Sequence, residues 1–65
     1  MAQLAPTILY NRSGLFLTRA KYGDGQEWQT GQILDMTDGA RWFHPNNGGA
    51  PVKITPDNAA ALRFA

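Results

Sequence analysis

Sixty-five residues with 43% hydrophobic content, including two Trp, two Tyr and three Phe, hold the material for one small core and leave no room for a second domain. The net charge of +1, six Lys plus Arg against five Asp plus Glu, provides no overall field to draw the chain onto nucleic acid or a membrane surface. With no cysteine and one histidine, His44, neither disulfides nor a structural zinc can supply the stability that so short a chain lacks, so self-association is expected.

The opening "MAQLAPTILYNR" has neither the basic start nor the continuous apolar stretch of a signal peptide. No run approaches the roughly 20 apolar residues that span a membrane. Together with the absence of cysteine, which fits a reducing compartment, this makes the cytoplasm, off the membrane, the expected location.

Turn signals then follow at short intervals: "NRSG" at 11–14, "GDGQ" at 23–26, "TDG" at 37–39 and "PNNGG" at 45–49. Such spacing suits strands. Five are predicted, over residues 7–11, 15–22, 27–36, 40–44 and 51–55, joined as an antiparallel meander. Gly14 has the freedom to end a hairpin loop, and Asp38-Gly39 is a dipeptide that type I′ turns prefer. In the tail "TPDNAAALRFA", Thr55 suits a helix cap, Pro56 the first helical position and Asp57 the positive end of the dipole. One or two turns of helix are expected there, anchored by Leu62 and Phe64.

Period-two reading assigns faces. Val52 and Ile54 share one face of the last strand, Lys53 and Thr55 the other. Alternation sends Trp42 and His44 one way and Arg41 with Phe43 the other. The second strand is in conflict with itself, because Leu15 and Leu17 fall on the face of Arg19 and Lys21, opposite Phe16, Thr18, Ala20 and Tyr22. In the third, Trp28, Thr30, Gln32, Leu34 and Met36 oppose Ile33. A bulge or bend would relieve both conflicts, with Gly31 the natural kink. Two bent long strands in a five-strand meander describe a small closed barrel.

The chemistry-bearing residues form no specific motif. His44, with Asp35 or Asp38 to orient it, is the one candidate acid or base, but no nucleophile pattern accompanies it. Ser13, the only serine, lies in a turn signal. No acidic residues repeat at metal-ligand spacing, and the glycine stretches lack the strand-to-helix context of a phosphate cradle. No catalytic, cofactor or metal site is assigned. A mixture of aromatic and basic residues remains. Arg12, Arg19, Lys21 and Arg41, beside Tyr10, Trp42 and Phe43, would suit a nucleic-acid stacking platform. A protein contact is the leading reading. Its residues are Trp28 or Trp42 with Leu15 or Leu17, edged by Arg19 and Arg41, and with His44 beside the "PNNGG" turn.

"EWQTGQIL" followed by "PVKITPDNAAAL" resembles the plasmid-borne type II dihydrofolate reductases, tiny Src-homology-like barrels that assemble as tetramers around a central pore. The similarity runs over roughly residues 19–62, through Trp28, Gln29, Gly31, Gln32, Ile33, Val52, Ile54, Pro56, Ala60, Ala61 and Leu62. The strand corresponding to residues 52–55 lines that family's pore through a glutamine, an isoleucine and a tyrosine. Here Ile54 matches and Lys53 and Thr55 take the other two places, while Lys21 aligns with the pore lysine only across a gap. What the resemblance implies is a fold, a five-stranded antiparallel Src-homology-like barrel with a short C-terminal helix. The expected function is a non-catalytic binding module, an accessory regulator or inhibitor of the kind mobile elements encode, acting on a protein partner or as a homo-oligomer. A nucleic-acid-binding barrel and an oligomeric reductase with its site on a symmetry axis are the alternatives.

Overall fold

The computed structural model describes residues 5–20 and 22–65. Five antiparallel strands form one sheet: β1 (Ile8–Arg19), β2 (Gln26–Met36), β3 (Arg41–Pro45), β4 (Val52–Ile54) and β5 (Leu62–Phe64), in the order β4-β3-β2-β1-β5. The first four make a meander, one strand shorter than expected because the strands predicted at 7–11 and 15–22 are joined in β1. β5 then crosses back to pair with β1, setting Phe16 opposite Leu62 and Gly14 opposite Phe64. The sheet bends but does not close into the expected barrel, because β4 and β5 remain its two edges.

The all-β class and the five strands agree with the sequence, but two segments are used differently. "NRSG" is not a turn: β1 runs unbroken from Ile8 to Arg19, with a single register shift between Ile8 and Tyr10. Gly14 is needed there for its missing side chain. It pairs with Gly31 of β2, and a Cβ on Gly14 would collide with Ile33 Cδ1 and stand 2.8 Å from the Arg63 carbonyl oxygen. A Cβ on Gly31 would run into the His44 carbonyl and lie 2.6 Å from Phe43 Cζ. Two glycines facing each other across the ladder therefore let β3, β5 and the Ile33 and Phe43 side chains close in at one point.

The tail is the second difference. No α-helix follows Thr55; a single 3-10 turn, Ala59–Ala61, leads directly into β5. Asn58 takes the place expected of Thr55. Its Oδ1 accepts from Thr55 N–H (2.7 Å), its Nδ2 donates to the Lys53 carbonyl (3.0 Å), and its own N–H reaches the Thr55 carbonyl (3.2 Å). This clamp turns the chain at the end of β4. A helix nucleus in so short a piece gains less than pairing with β1 provides.

Phe16, Ile33 and Phe43 form the buried core, with Val52, Ile54, Ala61 and Leu62 packed on it. The Phe16 and Phe43 rings are stacked, with centroids 5.4 Å apart. Leu62 thus anchors the tail as expected. Phe64 stays outside the buried core, 48% exposed. The turns also sort themselves by glycine. Gly39 and Gly48 have φ of +88° and +83°, while no other residue type among those described has positive φ. Asp38-Gly39 is accordingly a three-residue connection ending in a left-handed glycine, not a type I′ pair, and Asp38 Oδ1 accepts from Ala40 N–H (2.9 Å). No described helix is long and apolar enough to cross a membrane.

Because Gly31 abuts Phe43 and the β3 backbone, Gly31→Ala should destabilise the fold by about 1–3 kcal/mol. Gly25→Ala has open space around the new methyl group and should stay within roughly 0.5 kcal/mol of the parent. Urea unfolding followed by tryptophan fluorescence measures both. Equal midpoints for the two variants would remove the close-approach role given to Gly31.

Candidate functional site

Pairing register sorts the side chains onto two faces. The inner face carries the core and, at one end of it, a cluster of charge and aromatic rings. Arg41 donates from Nε and Nη2 to Asp35 Oδ1 and Oδ2, at 2.5 and 3.1 Å. Its guanidinium also lies over the Phe64 ring, 5.2 Å from the centroid. Arg12 stands over the same ring (5.6 Å) and over Tyr10 (5.4 Å). The hydrogen bond from Arg41 holds the Asp35 carboxyl below its usual 3.8, against the opposing effect of burial and with further help from the charges of Arg41 and Arg12. The same bond raises Arg41. Beside this cluster an open groove of about 520 Å³ runs between Tyr10, Met36, Arg41, Ile54 and Pro56.

The outer face is different in kind. Leu15 and Leu17 of β1, Trp28 and Leu34 of β2 and Trp42 of β3 all project from it, with Leu17 opposite Trp28 and Leu34 opposite Trp42. All but Trp28 are half-buried, and Trp28 is 37% exposed. The second-strand conflict is therefore not relieved by a bulge. β1 keeps regular register from Tyr10 to Arg19, Phe16 goes inward, and Leu15 and Leu17 stay on the outer side with Arg19. Phe43 is the buried member of its pair (0% exposed), so Trp42 and the exposed His44 face out beside the turn.

Of the residues proposed for contact, Trp28, Trp42, His44 and Arg19 share this outer face, and Arg41 does not. Arg41 alternates with Trp42, so it lies on the side of Phe43, committed to Asp35. The base that accompanies Trp28 is Arg63, whose guanidinium stands 4.5 Å from the Trp28 ring centroid. The sequence offers only one or two helical turns for this tail and no strand, and recognising "LRF" as a strand is what gives Arg63 a face. The nucleic-acid set divides as well. Arg19 is outward, Arg12 and Arg41 are inward, and Lys21 lies outside the described residues.

The residues considered for acid–base chemistry lie apart. Asp35 is on the inner face and His44 on the outer. Ser13 sits in β1 rather than in a turn, and shares an outer row with Gln32 and His44. Ser13 and His44 are two strands apart, roughly 9.5 Å at the usual spacing, with Gln32 between them. Among the described residues no three His, Cys, Asp or Glu side chains are grouped to hold a metal ion.

No protein family, characterised protein or solved structure matches this chain.

The Arg41–Asp35 pair makes stability depend on pH. A folded-state pKa below the unfolded value means that the unfolded chain binds the proton more readily, so stability rises with pH. The contribution is whole at neutral pH, begins to fall as pH drops towards 3.8 and is lost through the lower folded value. With both side chains partly exposed, Asp35→Asn should lower stability at pH 7 by at most about 1 kcal/mol. That difference should shrink steadily in acid, as followed by urea midpoints across a pH series. A gap between variant and parent that ignores pH would contradict the ion-pair account.

Proposed function

We propose that the protein is a non-catalytic binding module, acting as an accessory regulator or inhibitor, and that it works by laying the outer face of its sheet against a protein partner. The observation that carries this reading is the grouping of Leu15, Leu17, Trp28, Leu34 and Trp42 on the side of the sheet opposite the core. Cross-strand pairing alone stabilises a sheet by roughly 0.2–1 kcal/mol per pair, and Thr or Tyr would serve as well without leaving an apolar surface. An apolar centre with arginine at its border has the composition of a protein contact. The separated Ser13, His44 and Asp35 favour binding over catalysis.

Affinity capture from the source cells' extract should recover one protein in stoichiometric amount. Trp42→Ala should weaken that complex at least about 30-fold, the scale of a central contact residue. Its circular dichroism should remain that of the parent, and Arg12→Gln on the inner face should bind normally. Sedimentation of the protein alone supplies the competing result. A dimer or tetramer that Trp42→Ala reduces to monomer, with nothing captured, would make the face a self-association surface and end the foreign-partner reading.

A further inference from the structure

The outer face has a charge sign as well as an apolar centre. Arg19 at the end of β1, Arg63 on β5 and Lys53 on β4 all project to this side, each of them exposed. Among the described strand residues no carboxylate side chain does. Glu27 and Asp35 of β2 alternate to the inner face, and Asp24, Asp38 and Asp57 lie in turns. A chain with formal charge +1 therefore presents three bases and no acid on the strands of the face that carries Trp28 and Trp42. Lys53 and Arg63 stand on the two edge strands, with the apolar side chains between them. Two copies of this face laid together would oppose like charges.

We infer that the partner surface is acidic: a protein segment presenting apolar side chains to Leu15, Leu17, Leu34 and Trp42, with carboxylates meeting Arg63 and Lys53. This rests on the docking-face reading above and names the chemistry of its occupant. Arg63 is the best-prepared of the bases. Trp28 supports one face of its guanidinium at 4.5 Å, which leaves the planar N–H fork free to bind a carboxylate through two hydrogen bonds. Holding that fork in place beforehand reduces the ordering cost of binding. The same contact speaks against nucleic acid, because a base stacking on Trp28 would have to displace the guanidinium from the ring.

The test is selection of a random displayed peptide library on the immobilised full chain, followed by titration of synthetic versions of the winning peptides. Enrichment of Asp or Glu beside aromatic and aliphatic residues is expected. Binding should fall at least about tenfold on Arg63→Gln and further on Arg63→Gln with Lys53→Gln, should weaken with added salt, and should be unchanged in Arg12→Gln. Peptides that lose binding on Trp42→Ala yet lack acidic residues and ignore Arg63→Gln would overturn the acidic-partner inference and leave the docking face standing. Selected peptides indifferent to Trp42→Ala, or no selected peptides at all, would overturn both. An oligothymidylate that quenches Trp28 and Trp42 fluorescence, loses affinity on Arg63→Gln and competes with the peptides would transfer the face to nucleic acid.

Discussion

Everything in this fold depends on two glycines meeting across one rung of a ladder. Gly14 and Gly31 are register partners, and their absent side chains leave the space that Ile33, Phe43 and the backbones of β3 and β5 occupy. A single sheet has no second layer to bury its apolar side chains against, so it must curl until its own inner face provides one. Phe16, Ile33 and Phe43 can meet only if the two longest strands approach their neighbours unusually closely in the middle. That the buried core comes to three residues among those described shows how little apolar surface a chain of this length can enclose.

The curl separates the chemistry of the two faces. On the inner side, past the core, Arg12 and Arg41 converge on Phe64 and are partly neutralised by Asp35, so the open end of the curl is closed by ion pairing and ring contacts instead of aliphatic packing. Phe64 contributes there while remaining half exposed, because its ring serves as a platform for two guanidiniums. On the outer side the described strands carry three bases and no acid, beside aliphatic and indole side chains. The acids that balance the chain's charge have been placed inward or in turns, which is why a nearly neutral composition concealed a basic face.

Much of this was legible from residue order. The turns at 37–39 and 45–49, the β3 and β4 segments and the opposite directions of Trp42 and Phe43 follow from turn chemistry and period two, both of which act locally, whereas Gly31 keeps regular register and serves close approach instead of the expected kink. Gly14 was misread because a glycine beside Asn11, Arg12 and Ser13 looks like punctuation, and only the long-range approach of Ile33 and β5 explains it. The tail was misread for a related reason. "AAAL" has high helix propensity, but Asn58 and the free edge of β1 offer hydrogen bonds that a one-turn helix cannot match. With only a short helix expected in the tail, nothing assigns Arg63 to a face of the sheet, and its place over Trp28 is not legible.

The conflict within β1 turns out to be the most informative feature of the sequence. Leu15, Leu17 and Arg19 alternate against Phe16, and a fold governed only by burial would insert a bulge to bring the leucines inside. β1 does contain an irregularity, but it lies between Ile8 and Tyr10, away from the leucines. The chain therefore keeps regular pairing through Leu15 and Leu17 and leaves them on the side of Arg19, Trp28 and Arg63. Strand β5 then brings Arg63 over Trp28, reaching across β1 to β2. The last strand thus completes both the core, through Leu62, and the outer face, through Arg63. Fold and face are coupled in three consecutive residues: any rearrangement of β5 that released Arg63 from Trp28 would also withdraw Leu62 from Phe16, so the face is presented only by the fully folded sheet.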